Sequence, residues 1–241
     1  MTLEQYVQAI RFRWLQPGFP MSLYRPLAWL ARLAGRNLEI TNTRVPGAET
    51  AMKLRLQPLC DIPRMSTFAV GAIINHAVAN LNPAHSFVNV GVWNGFSLLC
   101  GMADNPGQRC IGIDNFSQFG GPRTEFMERF GVCASPQHHF FDMDYRRYFE
   151  QEHQGEIGLY IYDGEHSYRN QLEGLRIAEP HLSNDALIIV DDTNWEMPRK
   201  ATLDFMQESE LEYQVVFDAG TCFPGHPTFW NGLMVIRRVT R

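Results

Sequence analysis

IYDGEHSY (residues 161–168) and IIVDDTNW (residues 188–195) share one pattern: an apolar run typical of a buried β-strand ends abruptly in carboxylates. If the two strands are neighbours in a parallel sheet, they lie about 4.8 Å apart, and Asp163, Asp191 and Asp192 emerge at the same sheet edge. Three crowded carboxylates repel one another unless a cation or a bound proton offsets their charge. Hard oxygen ligands in that number suit Mg²⁺ or a similar divalent ion. The two segments therefore predict an active site at this edge.

Both segments belong to an alternation of strands and helices that begins near residue 66. Helical spacing of apolar residues predicts helices from Ser66, from about Phe96, at 123–130, after Tyr168 and at 198–208. This cadence is typical of right-handed βαβ units in an α/β, doubly wound parallel sheet, where ligands bind beyond the carboxyl ends of the strands. The predicted strands are 87–90, 110–113, 138–141, 159–162, 186–190, 213–217 and 232–237.

The first 65 residues do not follow this alternation. Five prolines interrupt residues 1–60, which we interpret as a helical N-terminal cap (1–65) on the main domain (66–241). Within the cap, residues 21–34 are apolar but carry Arg25 and Arg32, so they are too short and too charged to span a bilayer. They could lie on a membrane, although we favour packing against a partner subunit in a homo-oligomer, most simply a dimer.

Composition limits the classes of function. The chain has 241 residues, 45% of them hydrophobic, and a net charge of −5, which argues against an electrostatic nucleic-acid binder. Its five cysteines show no CxxC spacing and suit a reducing compartment. The N-terminus shows no signal-peptide pattern, so we expect a cytoplasmic protein.

VNVGVWNGFS (residues 88–97) is a predicted strand, a glycine turn and a helix start. Glycines let a ligand approach the backbone closely, and the first turn of a helix offers free N–H donors. The spacing is G-x-x-x-G, and Trp93 stands where a dinucleotide fingerprint requires glycine. A phosphate-binding loop is also excluded, because no Gly-Lys-Ser/Thr follows. The motif alone is equally consistent with a structural turn.

Acidic residues close the next two predicted strands. Asp114 lies 23 residues after Gly91 and could accept hydrogen bonds from both hydroxyls of a ribose, or serve only as a cap or turn residue. After the third strand, Met143 and Asp144 could flank an adenine, with Asp142 as a competing candidate. Together with the glycine turn, these residues could form a binding site for a nucleoside.

Taken together, these motifs resemble those of S-adenosylmethionine-dependent methyltransferases with a Rossmann-like fold. The chain is most similar to the metal-dependent branch that includes macrocin O-methyltransferase and related sugar and antibiotic O-methyltransferases. The resemblance implies a mostly parallel seven-stranded sheet with an antiparallel last strand. It covers residues 66–237 and is carried by VNVGVWNGFS (88–97), GID (112–114), YDGEHSY (162–168), VDDTNW (190–195) and FWNGLMVI (229–236).

The resemblance also implies roles for the glycine turn and the first acid. Gly91 and Gly95 would hold the methionine part of the cofactor, Asp114 its ribose, and Ser97 its carboxylate. Two departures from the family pattern are Asn89, where an acid is common, and Ser183-Asn184-Asp185, where a Gly-Gly turn is common and which we expect to be a loop. The expected cofactor-binding residues are Asn89, Gly91, Trp93, Gly95, Ser97, Asp114, Met143, Asp144 and Asp163.

For the acids, the resemblance implies Mg²⁺ or another divalent cation held by Asp163, Asp191 and Asp192. A cation on the acceptor oxygen lowers the pKa of the hydroxyl and orients it toward the methyl group. We expect His166 to be the base and keep Glu165 as its rival. Alternatively, this segment only caps the following helix.

We therefore expect O-methyl transfer to a hydroxyl of a small molecule such as a sugar or natural product. A non-catalytic nucleotide-binding scaffold is the alternative, and Trp93 disfavours an NAD-dependent oxidoreductase. Three smaller predictions concern the surroundings of the site. The segment 222–231 is either a substrate wall or a loop that plugs the core, 118–123 is a lid, and of His138 and His139 one is buried and the other exposed.

Overall fold

A computed structural model describes residues 1–239 of the chain as a seven-stranded sheet flanked by helices. Two short 3₁₀ helices lie at Pro58–Asp61 and Glu179–His181. The strands are β1 (Arg11–Phe12), β2 (Thr43–Arg44), β3 (His85–Val90), β4 (Arg109–Asp114), β5 (His138–Asp142), β6 (Glu156–Tyr162), β7 (Leu182–Asp191), β8 (Glu212–Ala219) and β9 (Leu233–Val239). The helices are α1 (Leu3–Ala9), α2 (Met21–Leu33), α3 (Leu38–Asn42), α4 (Glu49–Leu56), α5 (Phe68–Ala79), α6 (Phe96–Met102), α7 (Arg123–Cys133), α8 (Tyr145–Gln151), α9 (Tyr168–Ala178) and α10 (Glu196–Glu208).

The strand order of the large sheet is β5-β4-β3-β6-β7-β9-β8. Strands β3 to β7 run parallel, and β9 lies antiparallel between β7 and β8. The predicted α/β fold, the seven strands and the antiparallel last strand are therefore confirmed. Chain order reverses beside β3, where β4 lies on one side and β6 on the other, and ligands bind at such a switch point.

Apolar runs and caps explain the elements around this switch point. Nearly every residue of β3, β6 and β7 near the carboxyl edge is buried on both faces, as expected for central parallel strands. The hydroxyls of Thr67 and Ser167 cap α5 and α9 by accepting hydrogen bonds from Val70 and Asn170 N–H groups. Ser167 thus takes the capping role, which leaves Asp163 free of it.

In the N-terminal segment, β1 and β2 form a two-stranded sheet that was not predicted. Two elements of the main domain also differ from the sequence prediction. Helix α8 was not predicted; its Asp144 cap and its buried Tyr148 and Phe149 stabilise it, although no long apolar stripe marks it. The expected loop at Ser183-Asn184-Asp185 instead belongs to β7, whose pairing with β6 is irregular before Leu187. Of the two adjacent histidines, His138 is buried and His139 is exposed, as predicted.

The N-terminal residues contribute side chains to the hydrophobic core and are joined to one another by buried polar contacts. Asn42 is fully buried, its Oδ1 accepts from the N–H groups of Trp14 and Leu15, and its Nδ2 donates to the Leu15 carbonyl. Glu39 is paired with Arg64 at 3.0 Å in a largely buried ion pair. Helix α2, by contrast, buries none of its residues. Across residues 1–239 we find no helix with the length and apolar content needed to cross a bilayer.

The stability of the fold should depend on the neutral form of His153. Burial and the nearby His181 lower the pKa of His153 to about 4. In the neutral ring Nδ1 accepts from the Tyr148 hydroxyl, and Nε2 donates to the Gly155 carbonyl. Because the unfolded histidine titrates near 6.5, its contribution is complete above that pH and is lost as the pH falls toward 4.

We therefore expect His153→Phe, which cannot be protonated, to lose less stability than the wild type between pH 6.5 and pH 4. Urea unfolding at a series of pH values measures this difference. His139→Phe, at an exposed position, serves as the control and should follow the wild-type pH dependence. Equal pH dependence in His153→Phe and the wild type would contradict the prediction.

Candidate active site

The register of three parallel strands brings the candidate residues to one edge of the sheet. Val90 of β3 lies opposite Tyr162 of β6, which lies opposite Val190 of β7. The next residues along these strands are therefore Gly91, Asp163 and Asp191, side by side at the carboxyl edge. A cavity of about 340 Å³ opens there.

Glycine is required at position 91 by both backbone conformation and space. Gly91 has a φ of +79°, in the left-handed region, and a Cβ built on it would lie 2.0 Å from the carbonyl oxygen of Asp163. The turn after β3 therefore lies directly against the end of β6. Gly95 is also left-handed, with a φ of +98°, and begins α6.

Asp114 fastens this turn to the end of β4. Its Oδ2 accepts hydrogen bonds from the N–H groups of Val92 and Trp93 at 2.9 and 2.8 Å, and its Oδ1 accepts from Phe116 at 2.7 Å. A carboxylate offers about four acceptor positions, so this arrangement leaves about one for a ligand hydroxyl. The main role of Asp114 in this structure is to accept hydrogen bonds from the backbone of the glycine turn. Contact with both hydroxyls of a ribose would require some of these hydrogen bonds to break.

The predicted acids approach one another around His166. Nε2 of His166 lies 3.4 Å from Oδ1 of Asp163 and 3.4 Å from Oδ2 of Asp192. Asp191 is 8% exposed, and its Oδ1 accepts a hydrogen bond from the Asp192 N–H. The imidazole ring also packs edge-on against Trp195. His166 is thus placed between two of the three carboxylates.

The charges of these groups shift one another's titration. Burial, with the charges of Asp163 and Asp192, raises the pKa of Asp191 well above its usual range. Burial also raises the pKa of Asp192 to about 6, with Asp163 adding to the rise and His166 opposing it. Burial alone would lower the pKa of His166, but contact with Asp163 and the charges of Asp192 and Asp191 raise it to about 9. The site therefore favours an additional positive charge.

We tested whether these residues fit a divalent cation. Their oxygen donors and their excess of three carboxylates over one imidazolium suit such an ion, and the buried Oδ1 of Asp192 has no hydrogen-bond partner among the described residues. The arrangement of these side chains, however, does not yet form a metal site. In the part of the chain that the structure describes, no three His, Cys, Asp or Glu side chains are grouped so as to hold a metal ion as they stand. An ion between Asp163 and Asp192 would require the His166 ring to turn away.

Most of the predicted site residues line the cavity. Asn89 and Gly95 do not; Asn89 is fully buried, and its Nδ2 donates to the Val90 carbonyl. Asp142, the rival of Asp144, lies outside the cavity and pairs with Arg123. The predicted residues that line the cavity are Gly91, Trp93, Ser97, Asp114, Met143, Asp144, Asp163, Glu165, His166, Asp191 and Asp192.

The two predicted flanking segments have different positions. Gln118 and Phe119 lie at the cavity, and the Trp93 indole N–H donates to the Phe119 carbonyl. The segment 222–231 lines none of it; instead, His226 and Thr228 are fully buried, so this segment packs into the core. The plug interpretation of 222–231 therefore describes the structure better than the substrate wall.

The sequence interpretation missed several cavity residues that come from outside the recognised motifs. Arg64, Met65 and Ser66 reach the cavity from the segment before α5. Arg146 lies on α8 and is held by two hydrogen bonds to Glu173, at 2.6 and 2.8 Å. The only sequence signal for these residues was their position next to a strand end or a helix start. The others are Asn115, Phe116, Ser117, Tyr145 and Asn170.

Comparison with known proteins agrees with this geometry. Residues 88–193 match the family model described as a methyltransferase domain, a segment somewhat shorter than half of the chain. No curated protein matches the chain.

Solved structures of similar fold include cofactor-bound Rv0187 from MTB, at 16% identity with a TM-score of 0.56, covering 89% of this chain and 95% of that one. The O-methyltransferase NovP is 13% identical with a TM-score of 0.52, covering 72% and 81%. The calicheamicin methyltransferase CalS11 is 16% identical with a TM-score of 0.50, covering 78% and 92%. At these identities the structural likeness shows the fold alone.

The sheet order and the cavity at its switch point define a Rossmann-like α/β protein of the methyltransferase fold. The match at residues 88–193 agrees with this fold and indicates a methyltransferase domain in that part of the chain.

The contact between the glycine turn and the end of β6 can be tested by Gly91→Ala. Because the added Cβ would overlap the Asp163 carbonyl, we expect a loss of about 1–3 kcal/mol in the free energy of unfolding. Thermal unfolding measures this loss as a lower Tm. Gly107→Ala is the control, since no atom lies within 4 Å of its built Cβ. An unchanged Tm in Gly91→Ala would contradict this packing.

Proposed function

We propose that the protein transfers a methyl group from S-adenosylmethionine to a hydroxyl oxygen of a small molecule, with the help of Mg²⁺ or a similar cation. The observation that carries this proposal is the single cavity in which the acids at the ends of β6 and β7 lie beside the glycine turn at the end of β3. One side of the cavity suits a nucleoside, and the other suits an ionisable hydroxyl.

The cofactor would lie along the ends of β3 and β4. Gly91 lines the cavity, and Asp114 holds its turn in place by accepting hydrogen bonds from the N–H groups of Val92 and Trp93. Ser97 and Met143 line the same cavity and are our candidates for contact with the cofactor carboxylate and adenine. Since a methyl displacement depends strongly on alignment, a rigid turn supports the reaction.

Asp163, Asp191 and Asp192 are our candidates to hold the cation. The raised pKa values of Asp191 and Asp192 and the oxygen donors of all three residues support this assignment. The His166 ring would have to move from its position between Asp163 and Asp192. When bound, such an ion would lower the pKa of the acceptor hydroxyl.

His166 is our candidate to receive the proton of the acceptor hydroxyl. Its Nε2 faces the carboxylate cluster, and its ring is largely enclosed, with the side chain 18% exposed. Glu165 lines the cavity too but is exposed to solvent, where it is less able to hold a defined position. A cation bound to the carboxylates would offset the charges that raise the pKa of His166 to about 9, so that the neutral ring could accept this proton.

Several observations support a small acceptor that receives the methyl group on an oxygen atom. The cavity of about 340 Å³ is of the size that small molecules occupy. The net charge of −5 disfavours a nucleic-acid substrate. NovP is named an O-methyltransferase and CalS11 a calicheamicin methyltransferase, and we extend O-methylation to this chain as part of the proposal.

The metal requirement can be tested with the buried carboxylate of Asp191. We expect Asp191→Asn to lose methyl transfer to a hydroxylated acceptor while its affinity for S-adenosylmethionine, measured by calorimetry, stays within a few-fold of the wild type. Excess chelator should abolish wild-type activity, and Mg²⁺ should restore it. Asp185→Asn, at the exposed opposite end of the same strand, is the matched control and should remain active. Full activity in excess chelator would refute the metal role.

The choice of base can be tested by comparing two neighbouring variants. We expect His166→Ala to reduce kcat by about 10²–10⁴-fold, the usual scale for loss of a general base. Glu165→Ala should lose less than tenfold, because its side chain lies at the exposed wall of the cavity. Steady-state kinetics with saturating S-adenosylmethionine measures both. The opposite ranking would assign the role to Glu165.

A further inference from the structure

Helix α2 carries an apolar surface that the rest of the described chain leaves uncovered. None of its residues is buried, and Leu23, Leu27 and Leu30 are 55%, 41% and 54% exposed. Their spacing of four and three residues places them on one side of the helix. Leu33 and Trp29 extend the surface, at 67% and 61% exposure. A group of large apolar side chains exposed together on one helix normally marks an interaction site.

The helix is attached to the protein by a different side. Tyr24, Ala28 and Ala31 are half-buried and follow the same helical spacing. The Tyr24 ring packs against Phe223, with ring centroids 5.8 Å apart. This attachment leaves the leucine side directed away from the core. The exposed leucines are therefore not part of the internal packing of the protein.

The charge of this segment is opposite to that of the whole protein. Residues 5–38 contain five arginines and no acidic residue, whereas the complete chain has a net charge of −5. Arg25 and Arg32 lie seven residues apart and so share a second side of α2, and Arg36 follows the end of the helix. All three are exposed, and within residues 1–239 none of them forms an ion pair. The negative excess lies entirely in the rest of the chain.

These features favour a lipid surface over a second copy of the chain. A two-fold symmetric contact through the leucine sides of α2 would leave the arginines of both copies without partners, since the segment contains no acid. A bilayer with anionic lipids offers apolar chains for leucine and tryptophan and negative headgroups for arginine. The helix has 13 residues, or about 20 Å, so it is too short to cross the hydrocarbon core and would lie in the plane of the surface.

We propose that α2 is a membrane-surface anchor that binds the protein to anionic lipid bilayers. The leucine side enters the headgroup region, and Arg25, Arg32 and Arg36 remain at the level of the lipid phosphates. This binding requires neither methyl donor nor acceptor, so it stands independently of the proposed reaction.

Flotation of the full-length protein with lipid vesicles tests the proposal. We expect it to float with vesicles that contain phosphatidylglycerol, to bind pure phosphatidylcholine vesicles much more weakly, and to be released at high salt. At about 1 kcal/mol per arginine near an anionic surface, Arg25→Gln with Arg32→Gln should weaken partition by about 30-fold. Leu27→Ser with Leu30→Ser should also abolish flotation.

The matched control is Arg147→Gln with Arg169→Gln, which removes the same charge from two exposed positions outside the segment. This control should float like the wild type. The proposal is overturned if phosphatidylglycerol vesicles fail to float the wild type, or if the control pair weakens binding as much as the α2 pair. It is also overturned if light scattering shows a dimer that Leu27→Ser with Leu30→Ser converts to a monomer, since α2 would then be a subunit interface.

Discussion

The register between β6 and β7 is the constraint on which the rest of the site depends. Tyr162 lies opposite Val190, so the residues that follow them, Asp163 and Asp191, are held at the ends of adjacent strands. At a separation of about 5 Å and an effective dielectric of about 20, two such charges repel by about 3 kcal/mol. The strands themselves are buried and cannot slip to relieve this repulsion. The fold therefore requires a compensating positive charge at this edge of the sheet, and His166 supplies one in this structure.

The glycine turn connects this acidic cluster to the side of the cavity where we propose that the cofactor binds. Because Gly91 lies against the backbone of Asp163, the position of the turn and the position of the first acid are set by the same contact. Asp114 fixes the turn from the other side through the N–H groups of residues 92 and 93. Strands β4, β3, β6 and β7 thus act as one rigid support. A donor and an acceptor bound on this support would be aligned without large movement of the backbone.

Sequence patterns predicted the parts of this arrangement that depend on local rules. Buried strands that end in acids, and a glycine turn before a helix, can be recognised from residue order, and their meeting at one edge follows from parallel pairing. The role of Asp114 as a backbone acceptor could not be predicted, because it depends on how two loops fold back on each other. The same is true of Arg64 and Arg146, which reach the cavity from distant segments. Helix α8 was missed because its stability comes from burial of Tyr148 and Phe149.

The central claim is that the carboxylates of Asp163, Asp191 and Asp192 share one cation site beside the glycine turn. Its most direct test is a crystal structure of the protein grown with S-adenosylhomocysteine and Mn²⁺, with anomalous diffraction used to locate the metal. The account predicts a single Mn²⁺ peak within coordinating distance of these carboxylates, with the His166 ring turned away from its position between Asp163 and Asp192. An empty carboxylate cluster in crystals where the nucleoside occupies the cavity would contradict it.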